Sequence, residues 1–302
     1  MPTTQSENLR VAKGSLALTH TLKEDFFTEK QTENVHLSIR VKRWLIRRMT
    51  KYQLLEIAET YDMGKLLALD GKVMLTEADE RFYHEMLVHP PMLTHSCPKD
   101  VLIIGGGDGG ALREVLLHPS VERAVLVELD EDVLNECKKL LPEVSQGAFD
   151  DERVKVVIER GERFVEHCRN EFDVIIVDST DPIGNAKPLF SEPFYKACKL
   201  ALKEGGILCT QCGTPFYFKD EVRETVKKMR RVFLNVRLYI GFVPTYPSGL
   251  WAYCISSDDK IELSEQVVEE RYTARGLKCT YYTPKVHFGA LFLPAFVEAL
   301  ME

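Results

Sequence analysis

Apolar residues from Lys99 onward fall in short continuous runs, separated by segments with helical periodicity. Uninterrupted apolar runs are typical of strands that are covered on both faces. The predicted strands are 101–104, 124–128, 154–158, 174–178 and 206–211, and the predicted helices are 110–117, 131–140, 161–168 and 192–203. Further runs at 236–242 and 250–256 predict antiparallel edge strands. The alternation predicts an α/β fold built on a doubly wound, mainly parallel sheet.

The chain before this region has a different pattern. Residues 1–20 predict a flexible tail, and residues 21–76 predict a small antiparallel β domain with a tight turn at Asp70–Gly71. The short strands predicted within 34–76 are VHLSIRV, WLIRRM, QLLEIAET, KLLALD and KVMLT. The remaining residues, 77–302, form the predicted catalytic domain. A helix is expected to begin near the Thr76–Asp79 spacing and to end at about His89, before Pro90–Pro91.

Basic residues cluster in the N-terminal strands. A solvated strand face explains such a cluster most simply, and a subunit contact or an anionic partner is the alternative. The cluster comprises Arg40, Lys42, Arg43, Arg47, Arg48 and Lys51.

Composition limits the classes of function. The 302 residues carry a formal charge of −7, which disfavours general nucleic-acid binding and permits cationic substrates. No apolar run approaches the ~18 residues of a membrane span, and no secretory signal opens the chain. The eight cysteines lie mostly in apolar contexts, as expected of reduced thiols in a cytoplasmic protein. Cys209 and Cys212 form a CxxC within a predicted strand, so a redox or metal role is disfavoured, and no metal site is predicted.

The segment VLIIGGGDGG, residues 101–110, is the most informative part of the sequence. A buried strand that runs into a glycine loop and then a helix suits nucleotide binding, and Glu128 at the end of the next strand suits a ribose hydroxyl pair. Asp108 within the loop would repel a pyrophosphate. The pattern therefore favours a nucleoside without phosphates, such as an S-adenosyl compound, with a purely structural glycine turn as the alternative.

Acidic residues follow several of the predicted strands. Asp108, Glu128 and the pair Asp178 and Asp181 in DSTDPIG are expected at the carboxyl edge of the sheet, where such sheets bind ligands. An Asx-turn or a helix cap is the alternative for each aspartate. Because these loops contain no lysine or arginine beside the carboxylates, we expect the ligand to supply the positive charge, as a diamine or a sulfonium would.

Four motifs in this order, YHEM, GGGDGG, DSTDPIG and PTYPSG, resemble the spermidine synthases, a family of polyamine aminopropyltransferases. The resemblance covers nearly the whole chain after the first 20 or so residues. It implies an N-terminal β unit on a Rossmann-like domain of the class I methyltransferase type, usually in homodimers or homotetramers. It also implies transfer of an aminopropyl group from decarboxylated S-adenosylmethionine, a co-substrate rather than a cofactor, to a diamine, usually putrescine. The products would be spermidine and 5′-methylthioadenosine.

The resemblance also implies roles for individual residues. Asp178 corresponds to the proton acceptor, and Tyr83 to the aromatic residue beside the reacting amine. Positions that correspond to nucleoside-binding residues are Gln53, Gly105, Gly107, Asp108, Glu128, Arg160 and Gly161. Positions that correspond to contacts with the amine or the aminopropyl group are His84, Asp79, Asp181, Gln211 and Tyr246. Trp251 is interpreted as an ordinary core or edge aromatic.

Some positions depart from the family pattern. Arg160 stands where an aspartate usually accepts a hydrogen bond from adenine, and a guanidinium cannot accept one. Asn185 stands where many bacterial members have proline, which predicts a more mobile loop. Arg81 and Ala78 are further departures. Alternative hypotheses are therefore another acceptor (cadaverine, agmatine or spermidine), a methyltransferase on the same fold, and a non-catalytic binding relative.

Overall fold

A computed structural model of the chain describes residues 25–182 and 184–301. The predicted tail at 1–20 lies outside the described residues. Two sheets organise the rest, a smaller antiparallel sheet followed by a larger mixed sheet with helices on both faces. Among the described residues, no helix has the length and apolar character needed to cross a bilayer.

The N-terminal sheet has five antiparallel strands in chain order. They are β1 (Phe26–Lys30), β2 (His36–Met49), β3 (Leu54–Thr60), β4 (Lys65–Leu69) and β5 (Lys72–Thr76). The sequence pattern missed β1 and divided β2 into two strands. The division is wrong because irregularities in the pairing with β3, between Val41 and Arg43 and between Trp44 and Ile46, let one long strand pass through the charged stretch.

Several members of the basic cluster on β2 are paired with acidic neighbours. Arg43 contacts Glu59 at 2.7 Å and Arg47 contacts Glu56 at 2.7 Å, both across the β2–β3 pair. Arg48 contacts Asp132, which lies on the helix Glu131–Leu140, at 2.9 Å. These ion pairs agree with a solvated strand face.

The larger sheet has seven strands in the order β11-β12-β10-β9-β6-β7-β8. Its strands are β6 (Asp100–Gly105), β7 (Arg123–Glu128), β8 (Val154–Ile158), β9 (Phe172–Asp178), β10 (Leu202–Gly213), β11 (Asn235–Phe242) and β12 (Leu250–Ser257). The five strands from β6 to β10 run parallel, whereas β12 and β11 add antiparallel edges. The predicted doubly wound, mainly parallel sheet is confirmed.

Helices cover both faces of this sheet. They are α1 (Glu80–Thr94), α2 (Gly110–Leu116), α3 (Glu131–Leu140), α4 (Pro142–Ser145), α5 (Gly161–Glu166), α6 (Glu192–Ala201), α7 (Lys219–Arg230), α8 (Glu265–Ala274), α9 (Pro284–Leu291) and α10 (Ala295–Glu298). Val101 and Ile103 of β6 pack with α1 and α2, whereas Leu102 and Ile104 pack with α5, α6 and α7. Alternate residues of one strand thus enter two cores, which explains the continuous apolar runs. The sequence pattern did not predict α4, α7, α8, α9 or α10.

Helix α3 joins the two sheets. Val133 and Cys137 on α3 pack in one buried cluster with Leu55, Ile57 and Leu67 of the N-terminal sheet. This contact holds the N-terminal sheet against the edge at which the parallel strands end, where the functional site lies.

Helix α1 does not end before its two prolines, so the predicted end at His89 is wrong. Pro90 has no N–H to bond the carbonyl of Met86, which would cost stability in a helix interior. The hydroxyl of Tyr239 on β11 donates to that carbonyl instead, at 2.8 Å. A side chain far away in sequence therefore allows α1 to continue to Thr94.

Glu85 on α1 anchors the C-terminal segment. Its buried carboxylate accepts hydrogen bonds from the backbone N–H groups of Thr280, Tyr281 and Tyr282, at 2.7, 2.7 and 2.8 Å. The same helix carries Tyr83 and His84, so this contact ties the last part of the described chain to the helix that supplies site residues.

Candidate active site

A cavity lies at the carboxyl ends of β6, β7 and β9, and the N-terminal sheet forms its outer wall. Most of the predicted site residues line it. They are Gln53, Tyr83, His84, Gly105, Gly107, Asp108, Glu128, Arg160, Gly161, Asp178 and Tyr246. The position is the one at which parallel α/β sheets bind ligands.

The glycine loop packs directly against the end of β9. Gly105 has a φ of +84°, and a Cβ there would lie 2.0 Å from the backbone oxygen of Asp178. The N–H of Gly106 donates to that same oxygen at 2.9 Å. A Cβ on Gly107 would approach Glu128 Oε2 at 2.9 Å. The loop therefore needs glycine for close approach to both carboxylate-bearing strands.

Asp178 is the central acidic residue. Its Oδ1 accepts a hydrogen bond from the Tyr83 hydroxyl at 2.8 Å, while its buried Oδ2 has no hydrogen-bond partner within the described part of the chain. Burial, followed by the charge of Asp108, raises the pKa of Asp178 to about 6. A buried carboxylate with a free oxygen and a raised pKa is suited to accept a proton.

His84 lies between acidic groups. Its Nδ1 is 2.7 Å from Glu80 Oε2, and its Nε2 is 3.3 Å from Asp108 Oδ1 and 4.0 Å from Asp178 Oδ2. Burial opposes a charge on the ring, but the carboxylates of Asp108 and Glu80 outweigh it and raise the pKa of His84 well above its usual value. The expectation that the ligand supplies the positive charge, because these loops contain no lysine or arginine beside the carboxylates, is therefore incomplete. Among the described residues, His84 supplies part of that charge to Asp108 and Asp178.

Asp108 and Glu128, two further acidic residues of this cavity, differ in charge. Burial raises the pKa of Asp108, but His84, the N–H of Gly110 and Arg113 together lower it below its usual value. Burial raises the pKa of Glu128 to about 7, although Glu128 accepts a hydrogen bond from the N–H of Asp130 at 2.8 Å. Asp108 is thus a fixed negative charge, and Glu128 titrates near neutral pH.

A second, smaller cavity adjoins the first and shares with it Met74, Tyr83, Ser179, Thr180 and Tyr246. Its own lining residues are Glu29, Lys72, Val73, Asp181, Gln211, Pro247 and Trp251. Burial raises the pKa of Asp181 to about 6. The two cavities meet beside Tyr83, so one ligand in each could react there.

Asp79 is not placed as predicted. It lines neither cavity, and its two oxygens already accept hydrogen bonds, from Thr76 Oγ1 at 2.6 Å and from the N–H and Oγ1 of Thr245 at 2.9 and 2.7 Å. Asp79 therefore fixes the loop that precedes Tyr246 rather than facing an ammonium group.

Gln211 and Tyr246 line the second cavity but use their polar atoms elsewhere. Gln211 Nε2 donates to the carbonyl of Ser179 at 3.0 Å, and its Oε1 accepts from the N–H of Gly213 at 2.7 Å. The Tyr246 hydroxyl donates to the carbonyl of Met74 at 2.5 Å. Both residues support the walls, and their contact with a ligand remains a prediction.

The part of the first cavity that is predicted to hold the nucleoside includes the residues that depart from the family pattern. Within the described residues, Arg160 makes two long contacts, 3.5 Å each, with Glu162 Oε1 and Asn185 Oδ1. Asn185 Nδ2 donates to the carbonyl of Tyr52 at 3.4 Å, so it links its loop to the N-terminal sheet. Gln53 Nε2 donates to Asp130 at 3.1 Å.

Two arrangements could suggest metal chemistry. His84, Asp108 and Asp178 place donor atoms within 4.8 Å of one another. Because both nitrogens of His84 face carboxylates, an imidazolium explains the group without a metal, which would require a neutral imidazole. The CxxC cysteines, Cys209 and Cys212, are buried in β10, and burial raises the pKa of both thiols, which makes them unreactive.

Sequence reasoning missed four residues near the site. Glu80 and Arg113 hold His84, and the spacing of Glu80 and His84, four apart on a helix, could have indicated their contact. Glu29 lies on the strand that was not predicted. Trp251 lines the second cavity with its buried Nε1 unpartnered among the described residues, so its interpretation as a plain core aromatic is incomplete.

Family models match most of the chain. Residues 80–265 match the spermine/spermidine synthase domain, and residues 26–77 match the spermidine synthase tetramerisation domain. The chain belongs to the spermidine synthase family of polyamine aminopropyltransferases. This membership confirms the predicted resemblance and the predicted class of enzyme.

Individual relatives agree with the family models. A polyamine aminopropyltransferase of Thermoanaerobacter sp. (strain X514) is 46% identical over 279 residues, which are 92% of this chain and 99% of the relative. One from Clostridium tetani is 44% identical and covers 90% of this chain and 96% of its own. Among solved structures, a spermidine synthase in complex with the transition-state analogue AdoDATO has a TM-score of 0.89 at 42% identity, covering 94% of this chain and 98% of its own. The spermidine synthase of Thermotoga maritima has a TM-score of 0.88 at 42% identity, covering 92% and 94%.

Proposed function

We propose that this aminopropyltransferase uses decarboxylated S-adenosylmethionine as donor and putrescine as acceptor, and that it releases spermidine and 5′-methylthioadenosine. The observation that carries the proposal is the position of Asp178 in the first cavity. One of its oxygens accepts a hydrogen bond from Tyr83, which lines both cavities, and the other has no hydrogen-bond partner among the described residues. The AdoDATO complex of a similar spermidine synthase supports the same class of transfer.

The donor occupies the first cavity. Glu128 accepts hydrogen bonds from the ribose hydroxyls, the glycine loop packs along the nucleoside, and Asp108 faces the positive sulfonium end. A negative Asp108 in the loop supports a donor with a cationic aminopropyl arm over one with a carboxylate, because a carboxylate would be repelled. This argument also disfavours an ordinary methyltransferase.

The acceptor occupies the second cavity. An alkylammonium resembles lysine, with a pKa of about 10.4, so freeing the attacking amine costs about 4–5 kcal/mol at pH 7. The amine nitrogen forms a bond to the aminopropyl carbon, the carbon–sulfur bond breaks, and its electron pair stays on sulfur as a neutral thioether. Asp178 accepts the proton that the amine loses. Because the leaving group is neutral, the chemistry requires neither an acid nor a resident cofactor.

Asp181 supports a diamine over a monoamine. It lines the second cavity, to which the glycine loop does not contribute, and there it would hold the distal ammonium group. Holding that end orients the reacting nitrogen toward the sulfonium. We therefore propose putrescine ahead of longer or guanidinylated acceptors, and an assembly of several chains on the basis of the match to a tetramerisation domain.

An acceptor panel tests the proposal. The enzyme is incubated with decarboxylated S-adenosylmethionine and, separately, putrescine, cadaverine, agmatine or spermidine, and the products are identified by mass spectrometry. We expect spermidine and 5′-methylthioadenosine in equal amounts, with the highest kcat/KM for putrescine. A higher kcat/KM for another amine would overturn the choice of acceptor, and no transfer to any of them would overturn the proposed reaction.

A further inference from the structure

We propose that His84 is an internal imidazolium that compensates Asp108 and Asp178 in the empty site, and that it releases its Nε2 proton when an ammonium group binds beside them. Glu80 and Arg113 are the positioning residues for this exchange. The inference rests on the proposed function only in assuming that a diamine is the cation that binds.

The Nδ1 side of the ring is fixed. Glu80 Oε2 lies 2.7 Å from Nδ1, and the two oxygens of Glu80 accept hydrogen bonds from NH1 and NH2 of Arg113, each at 2.9 Å. Burial opposes ionisation of Glu80, but His84 and Arg113 outweigh it and lower its pKa. An ionised Glu80 accepts a hydrogen bond and cannot donate one, so Nδ1 keeps its proton.

The Nε2 side therefore carries any exchange. Nε2 is 3.3 Å from Asp108 and 4.0 Å from Asp178 Oδ2, the oxygen that lacks a partner in the described chain. The residue is only 1% exposed, and a Cβ on Gly110 would lie 2.2 Å from its Cε1, so the ring packs closely against the backbone of Gly110. In the empty site, a lone pair on Nε2 would face two carboxylates, which favours a proton there.

Charged and titratable groups surround the ring. Glu80 and the neutral hydroxyl of Tyr83 lie on α1. Asp108 lies in the glycine loop, Arg113 lies on α2, and Asp178 ends β9. Arg113 forms ion pairs with Glu80 and Glu114, at 2.9 and 2.7 Å, and its charge acts on Asp108 only from a distance. One imidazolium thus faces two carboxylates. An arriving ammonium group repels the imidazolium, and once Nε2 has lost its proton to solvent it can accept an N–H from the ammonium.

Calorimetry counts the released protons. Putrescine is titrated into enzyme saturated with 5′-methylthioadenosine at pH 8, in buffers of different ionisation enthalpy. At this pH Asp178 and Asp181, with pKa values of about 6, and Glu128, with a pKa of about 7, are already largely ionised. We expect the wild type to release about one proton more than His84→Gln, because glutamine cannot titrate. Glu80→Gln should also reduce the release, since the uncharged amide no longer holds the imidazolium.

Controls separate a specific exchange from a structural effect. His287→Gln removes a buried histidine that contacts Tyr282 outside the site, and it should leave the proton count unchanged. If His84→Gln does not fold, the Cε1–H signal of His84 in the wild type gives the same test, because it should move to its neutral position when putrescine is added. Equal proton release in the wild type and His84→Gln, or an unmoved signal, would overturn the inference. Spermidine formation in the same preparation shows separately whether the proposed function holds.

Discussion

The surroundings of Asp178 disfavour a negative charge and at the same time suit the residue to proton transfer. Its carboxylate is buried, one oxygen accepts from Tyr83, and the other has no partner in the described chain. As pH rises from the ordinary aspartate pKa of about 3.9 through about 6, this side chain ionises in a site that disfavours the charge. The folded state therefore loses stability across that window, and the loss is complete above it. Because one oxygen of the carboxylate receives no hydrogen bond, Asp178 is also suited to accept a proton from an ammonium group.

Replacing Asp178 with asparagine should separate activity from stability. We expect Asp178→Asn to lower kcat by about 10²–10⁴-fold because the proton acceptor is lost. Its binding of 5′-methylthioadenosine should change little. At pH 8 we expect its free energy of unfolding to rise by roughly 1–3 kcal/mol, since a buried charge is removed. Kinetics, calorimetry and denaturant unfolding measure the three quantities.

Asp181→Asn is the matched control for this experiment. It should mainly raise KM for putrescine, because Asp181 orients the distal end of the acceptor rather than taking the proton. A fall in kcat for Asp181→Asn as large as that for Asp178→Asn would contradict the assignment of the proton transfer to Asp178.

The pH profile should report the hydrogen bond from Tyr83. With its pKa of about 6, Asp178 is protonated at lower pH and cannot accept a proton, so kcat/KM should fall as pH drops through 6. The Tyr83 hydroxyl stabilises the carboxylate and lowers that pKa. Tyr83→Phe should therefore move the acid limb upward by about half to one pH unit. Tyr195→Phe, a buried tyrosine on α6, should not move it, and an unmoved limb in Tyr83→Phe would contradict the assignment.

At the residue scale, the sequence motifs predicted where the acidic residues of the site lie, but not which side chains contact them. Asp108, Glu128 and Asp178 meet in one cavity because each follows a parallel strand, and that rule is visible in the pattern. Thr245 donates a hydrogen bond to Asp79, and Arg113 forms an ion pair with Glu80. Both contacts join residues that are far apart in sequence. No local spacing could indicate such contacts.

At the element scale, the glycine loop is the part most sensitive to an added methyl group. Gly105→Ala places a Cβ 2.0 Å from the backbone oxygen of Asp178, so we expect loss of nucleoside binding and destabilisation by roughly 3 kcal/mol or more. Gly147, with a φ of +80° and open space around its Cβ position, is the matched control. Gly147→Ala should cost only about 1–2 kcal/mol of backbone strain and should keep binding, as measured by calorimetry and denaturant unfolding.

Equal losses in the two glycine variants would show that backbone conformation alone, rather than the close approach to β9, explains the requirement for glycine. Retained binding in Gly105→Ala would show that the loop has room to shift.

Most core elements were predictable because their signal is local. The strands from β6 to β9 are short apolar runs, and the structure places each within two residues of its prediction. The errors arose where distant residues decide the outcome. Tyr239 lets α1 pass its prolines, and pairing with β3 keeps β2 continuous through Lys42 and Arg43. The buried positions of β1 are Phe27 and Glu29, so a charged residue interrupts the apolar alternation that would predict a strand.

At the scale of the whole molecule, the N-terminal sheet is the expected site of assembly. It matches a tetramerisation domain and presents exposed apolar side chains, including Met49 and Tyr61, which are 66% and 50% exposed. We expect the wild type to have the mass of four chains in light scattering, and Met49→Glu to give smaller species. Leu234→Glu, at an 81% exposed position outside this sheet, should leave the mass unchanged. A monomeric wild type would contradict the expectation.

Glu85 accepts three hydrogen bonds from the backbone of residues 280–282. The last part of the chain is therefore expected to matter for activity although it is not proposed to contact a substrate. A premature stop codon shortly before residue 280 would spare every residue proposed to touch a substrate. It would nevertheless strip a buried carboxylate of three donors on the helix that carries Tyr83 and His84. Such an allele should be null, and a gene finder that inspects only the motifs would still count it as intact.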